Sequence, residues 1–202
     1  MKNLFHKLYK LVGHILCRIL LVYWKIRDRV SPPKSDSVLF VSHPDDDTLF
    51  FHTFIKKYKP YVVLMTTGWS LKRVPCFIRV MRKYGVRFRI YDLEARDTRI
   101  ELLKKHVREV KKLHGFTLCA THNEEGEYGH EMHVRVHDAV TEIMDCRILC
   151  PVKADEITLY PLEKAEADEK TAIFNNEYTT ELFVLDQYKD WVVNECLEEF
   201  KQ

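Results

Sequence analysis

The apolar residues of this chain fall into two kinds of run that alternate along most of its length. Short stretches such as Val38-Leu39-Phe40-Val41 and Tyr61-Val62-Val63-Leu64-Met65 are apolar without interruption, the pattern of strands covered on both faces in a parallel sheet. On this ground strands are predicted over residues 37–42, 61–66, 86–91, 117–121 and 157–160. Longer segments with apolar positions three and four apart predict helices over 48–57, 74–84, 98–113, 131–144, 165–178 and 187–200. Strand and helix in turn imply an α/β fold, Rossmann-like, with a doubly wound, mostly parallel sheet flanked by helices and right-handed crossovers. In such sheets ligands collect beyond the carboxyl ends of the strands, where the strand order reverses. The loops after Ser42, Thr66 and Thr121 are therefore the places to look for chemistry.

The first 31 residues follow a different pattern. Leu4, Phe5, Leu8, Leu11, Val12, Ile15, Leu16, Ile19, Leu20 and Tyr23 keep helical spacing, with Lys7, Lys10, His14, Arg18 and Lys25 opposite them. Seven Lys/Arg and one acid give this segment +6, so that the remainder carries −4 within a net charge of +2. The expectation is an N-terminal basic amphipathic helix. Its apolar stretch, Leu11 to Trp24, is broken by His14 and Arg18 and falls short of the roughly 20 residues a membrane span needs. Two readings of the helix stand: attachment to an anionic membrane surface or a partner, or packing on its own domain. Ser31-Pro32-Pro33-Lys34-Ser35-Asp36 cannot continue a helix, so residues 32–36 are expected to link it to a single domain over 37–202.

The near balance of 32 basic and 30 acidic side chains argues against a nucleic-acid binder. The six cysteines are scattered through apolar stretches and form no Cys-x-x-Cys pair, as expected of reduced thiols in a reducing compartment. The expected location is cytoplasmic, with peripheral contact on the inner face of a membrane through residues 1–31.

The candidate chemistry lies in two loops. Ser42-His43-Pro44-Asp45-Asp46-Asp47-Thr48 follows the first strand, and the proline places three carboxylates at the start of the next helix, where negative charge is favoured. His43 and Asp46, pinned three residues apart, can converge on one cation. The second loop, Glu124-Glu125-Gly126-Glu127-Tyr128-Gly129-His130-Glu131-Met132-His133, follows the strand ending near Thr121 and sets His130 and His133 on one helix face. Two imidazoles, one carboxylate and an open position make a catalytic zinc set rather than a closed structural one.

His43 to Asp47 resembles the HPDDE motif, and Gly126 to His133 the GExGHxxH motif, of the PIG-L/LmbE-like zinc-dependent de-N-acetylases; the likeness extends over roughly residues 37–200. The resemblance implies that His43, Asp46 and His133 hold zinc and that Asp45 is the general base. It implies that His130, in protonated form, stabilises the oxyanion or protonates the leaving amine, and that Tyr128 and Arg73 line the substrate pocket. Asp92, after the third predicted strand, is a further candidate for substrate hydroxyls. His122 is the remaining histidine expected nearest the site, because it follows a strand end. Asp47 stands where the family usually has Glu, Glu131-Met132 where it has Pro-Asp, and Cys76 where a glutamate is common; none removes a ligand or the base. The implied reaction removes the acetyl group of an N-acetylglucosamine-type substrate, lipid-linked or part of a glycan.

Fe²⁺, Co²⁺ or Ni²⁺ suit the same donors. Two alternatives carry the same residues: a facial-triad Fe(II) oxygenase, opposed by the strand–helix alternation, and a catalytically silent sugar-binding or membrane-associated scaffold. The oligomeric state is left open.

Overall fold

The computed structural model describes residues 33–68, 72–93 and 99–201, together with Val12, Ile15, Leu16, Ile19 and Val22. The rest of the expected helix over 1–31, Pro32 of the linker and the side chain of Asp92 lie outside the described residues.

The expected α/β architecture is present. Strands β1 (Ser37–Val41), β2 (Tyr61–Thr66), β3 (Phe88–Leu93), β4 (Leu118–Ala120), β5 (Arg147–Pro151) and β6 (Leu197–Glu199) form one sheet in the order β3-β2-β1-β4-β5-β6. The first five are parallel and β6 runs antiparallel at the edge. Val38 pairs with both Tyr61 and Cys119, so β1 is central, and strand order reverses between it and β4. That reversal opens a crevice at the carboxyl ends of β1 and β4.

Alternation along the strands divides the core into two layers. Leu39, Val41, Val62 and Leu64 face one layer with Phe50 and Ile55 of α1 (Asp46–Tyr58), Phe77 and Met81 of α2 (Arg73–Tyr84) and Phe174 of α5 (Lys164–Asn176). Val38, Phe40, Val63 and Met65 face the other, with Leu103 and Val107 of α3 (Ile100–Lys111) and Val136 and Val140 of α4 (Glu131–Ile143). Burial on both faces explains the unbroken apolar runs.

Two sequence expectations fail. Residues 157–160 form no strand: Ile157–Leu159 is a 3-10 turn whose Ile157 is buried and Leu159 is 72% exposed. The fifth parallel strand is β5, earlier in the chain. The helix expected over 187–200 is two short helices, α6 (Phe183–Gln187) and α7 (Lys189–Val193), followed by extended Asn194 and β6, which pairs with β5.

Helix α1 breaks at Phe51 (φ −133°, ψ 19°), and the C-terminal segment repairs the break. Glu195 Oε1 accepts the Thr53 and Phe54 N–H groups at 2.8 and 3.4 Å. Its other oxygen lies 3.3 Å from the ammonium of fully buried Lys170, which also donates to the Trp191 carbonyl at 2.6 Å. The helix that opens the crevice is thereby tied to the last strand.

Candidate metal centre

His43 leaves the end of β1, and Asp46 begins α1. Between them Asp45 takes φ 106°, a conformation side chains avoid and one that costs on the order of 1–3 kcal/mol. The turn is held by the Asp45 carbonyl, which accepts from Thr48 and Leu49 N–H at 3.0 and 2.9 Å. His43 N–H donates to Asp46 Oδ2 at 2.7 Å, folding the carboxylate back under the imidazole.

From the β4 side, α4 brings His133 into the same crevice. Three atoms then form a nearly equilateral triangle: His43 Nδ1 to His133 Nε2 is 3.2 Å, His43 Nδ1 to Asp46 Oδ2 is 3.3 Å, and His133 Nε2 to Asp46 Oδ2 is 3.4 Å. Tetrahedral zinc with ligands at about 2.0–2.1 Å requires ligand atoms roughly 3.3 Å apart. The donor types and their spacing therefore fit a divalent ion.

Two other histidines stand close, and their hydrogen bonds set them apart. His122 Nε2 accepts the Ser42 N–H at 2.9 Å, and its Nδ1 faces Glu127 Oε2 at 3.1 Å. Both its nitrogens are engaged, so although Asp46, His122 and His133 are also grouped closely, His122 has no lone pair left for a cation. It stacks on His133 with centroids 3.9 Å apart. His130 Nδ1 accepts the Met132 N–H at 3.2 Å, capping α4, which leaves the proton of a neutral ring on Nε2. Its ring lies 4.7 Å from that of His43 and 4.5 Å from that of His133.

Glu127 is the residue that sequence reasoning passed over. Fully buried with φ 57°, it places Oε2 2.6 Å from His133 Nδ1 and 3.1 Å from His122 Nδ1. A carboxylate behind a ligating histidine fixes its tautomer and leaves Nε2 free for the cation. Asn123 builds the loop: its Oδ1 accepts the Glu125 and Glu127 N–H groups at 3.1 and 2.8 Å, and its Nδ2 donates to the carbonyls of Pro151 and Val152 at the end of β5. Gly126 is favoured as glycine, since its φ of +70° strains a side chain and an added Cβ would lie 3.1 Å from Val134 Cγ2. Its place inside Gly-Glu-x-Gly was the one signal that could have found it, since its partners His122 and His133 appear only in three dimensions.

The electrostatics call for a cation. Burial opposes protonation of His133, yet Asp46 and Glu127 overcome it and raise the imidazole to about 10. Burial likewise opposes ionisation of Asp46, but His133 and His43 hold its carboxyl well below the usual range. Burial lowers His43 to about 4. The cluster thus demands positive charge: a proton on His133 or a divalent ion among the three donors. Burial and His133 lower the His130 imidazole from its ordinary value, which favours the neutral ring.

Asp45 stands beside the triangle without joining it. Burial, reinforced by Asp46, Glu181 and Asp47, pushes its carboxyl well above the usual range against the pull of Arg73. Arg73 Nη2 reaches Asp45 Oδ1 at 2.7 Å and the Pro44 carbonyl at 2.9 Å, while its Nε lies 2.9 Å from Glu181 Oε1. The guanidinium expected to line the pocket also grips Asp45. Glu181 had no sequence signal, because only tertiary packing brings it to Arg73. Asp47, fully buried, accepts from Tyr178 Oη at 2.6 Å and Thr48 Oγ1 at 2.9 Å, anchoring the turn from behind. Tyr128 stands at the mouth, partly exposed, its ring 5.9 Å from His130 and stacked on Tyr188 at 4.2 Å.

No family model matches the chain. It is 24% identical over 131 residues to an uncharacterized protein of Acanthamoeba polyphaga mimivirus, a stretch covering 54% of this chain and 58% of that one; the chain thus spans little more than half of the curated relative it matches. Among solved structures it resembles the conserved protein TT1542 from Thermus thermophilus, with TM-score 0.53 at 13% identity over 83% of this chain and 94% of that one. It also resembles Dbv21, the deacetylase of A40926 pseudoaglycone, with TM-score 0.54 at 15% identity over 76% and 85% of the two chains. At such identity the likeness is one of fold, and a deacetylase is among the proteins built on it.

Proposed function

We propose that this protein is a metal-dependent amide hydrolase, zinc being the expected metal, which removes the N-acetyl group of an N-acetylglucosamine-type substrate and releases acetate. The observation that carries the reading is the triangle of His43 Nδ1, Asp46 Oδ2 and His133 Nε2, with edges of 3.2–3.4 Å, set beside a carboxylate that is not part of it. His43, Asp46 and His133 would hold the divalent ion, which would acidify a water and polarise the amide carbonyl.

The chain's own residues supply the rest. Asp45 accepts the proton of the attacking water and passes it to the departing amine. Arg73 keeps that carboxylate in place through its bond to Oδ1. As the carbonyl oxygen gains charge, the Nε2–H of His130 donates to it, a contribution of about 3–4 kcal/mol per donor in other enzymes. Glu127 holds His133 in register. Tyr128 at the mouth is the proposed contact for substrate hydroxyls, and Asp92 stays a candidate for the same role. Breaking the C–N bond leaves the free amine and acetate.

The test combines metal analysis with acetate release on a panel of N-acetylated amino sugars. Asp45→Ala is expected to keep its metal and lose about 10²–10⁴-fold in turnover. Near-normal turnover in that variant would overturn the base assignment. Metal bound with no acetate released from any substrate would leave the silent sugar-binding scaffold as the better reading.

A further inference from the structure

Val12, Ile15, Leu16, Ile19 and Val22 are helical and 45–60% exposed. At 3.6 residues per turn these positions fall within an arc of about 120°, so the five form one apolar face that the folded domain leaves uncovered. Helical periodicity predicts Lys7, Lys10, Arg18 and Lys25 on the other side, in a segment of net charge +6. The apolar stretch Leu11 to Trp24, broken by His14 and Arg18, is shorter than the roughly 20 residues a span needs. An apolar stripe backed by lysine and arginine fits a helix lying in the plane of a bilayer, its apolar face among acyl chains and its basic face against anionic headgroups. A second copy of the chain fits less well, since it brings another +6 against the first.

We propose that the segment 1–31 is a binding site for an anionic membrane surface, on which it lays the domain without spanning the bilayer. The proposal stands apart from the chemistry of the metal centre and is measured without turnover. The full-length chain is floated with phosphatidylcholine vesicles with and without phosphatidylserine, at low and high salt. Binding is expected only to the phosphatidylserine vesicles, falling at least about tenfold in high salt. A similar loss is expected in Ile15→Asp/Ile19→Asp, which changes exposed positions only, and in Lys7→Glu/Lys10→Glu/Arg18→Glu, with the thermal unfolding midpoint of the domain unchanged in both. The proposal is overturned if anionic vesicles fail to bind the chain at low salt or if the Asp variant floats as well as the parent. It is equally overturned if sedimentation finds a dimer that the Asp substitutions dissociate and that binds no vesicles.

Discussion

Helix α1 carries two clusters of histidine and carboxylate, and they differ in what already neutralises them. At its start Asp46 meets His43 and His133, with no lysine or arginine on the Asp46 carboxylate among the described contacts. Further along, His52 Nε2 meets Glu166 Oε2 at 3.1 Å and Glu169 Oε2 at 3.9 Å, both from α5. There Lys56 Nζ already sits 2.7 Å from Glu166 Oε2 and 2.5 Å from Glu169 Oε2, the His52 Nδ1 is taken by Tyr84 Oη at 2.6 Å, and the two glutamates are 34% and 45% exposed. Both clusters have the donor types of a metal site. Only the first has buried donors whose charge is left for a cation to satisfy, and that difference separates a candidate metal centre from a surface ion-pair network.

The largest effect that sharpens the contrast is expected from His133→Ala, which removes one corner of the triangle. Bound metal should fall from about one ion per chain to near none, with turnover lost, whereas His52→Ala should leave metal content unchanged; elemental analysis of the purified variants reads both. Glu127→Gln comes next. It keeps the ligands but weakens the hold on His133 Nδ1, and losing a carboxylate behind a ligating histidine costs about 10–100-fold in metal affinity, measured by competition with a chromogenic chelator.

A third effect is one of pH. In the metal-free protein His133 is raised from 6.5 to about 10, so the folded state holds this proton more tightly than the unfolded chain does. Its contribution to stability is fully present below pH 6.5 and is lost as pH rises through about 10. Thermal melts of the metal-free chain should therefore fall across that window, and added zinc should flatten the curve by replacing the proton. The smallest effect is expected from Lys56→Met. Weak zinc binding at His52, Glu166 and Glu169 should emerge once the resident ammonium is gone, with stability changed by less than about 1 kcal/mol.

What could be read in the sequence divides along the same physical line. β1 and β2 were legible because burial on both faces leaves unbroken apolar runs, and the two motif loops were legible because each directly follows a strand. β5 and β6 were not. Arg147-Ile148-Leu149-Cys150-Pro151 is short and opens on an exposed arginine, while Leu197–Glu199 has two exposed glutamates and is a strand only because it pairs with β5. Ile157-Thr158-Leu159 has strand-like composition, but no neighbouring edge among the described residues pairs with it. The same holds within the site: His43, Asp46 and His133 sit in spaced motifs, whereas Glu181 reaches Arg73 and Tyr188 reaches Tyr128 only through the packing of the C-terminal segment.

Whether one divalent ion belongs among His43, Asp46 and His133 is tested most directly by a zinc-edge anomalous difference map of crystals of the metal-loaded protein. A single strong peak is expected about 2.0–2.2 Å from His43 Nδ1, Asp46 Oδ2 and His133 Nε2, and none beside His52. A peak coordinated by His122, a peak at the His52 cluster instead, or no peak in protein that releases acetate would contradict it.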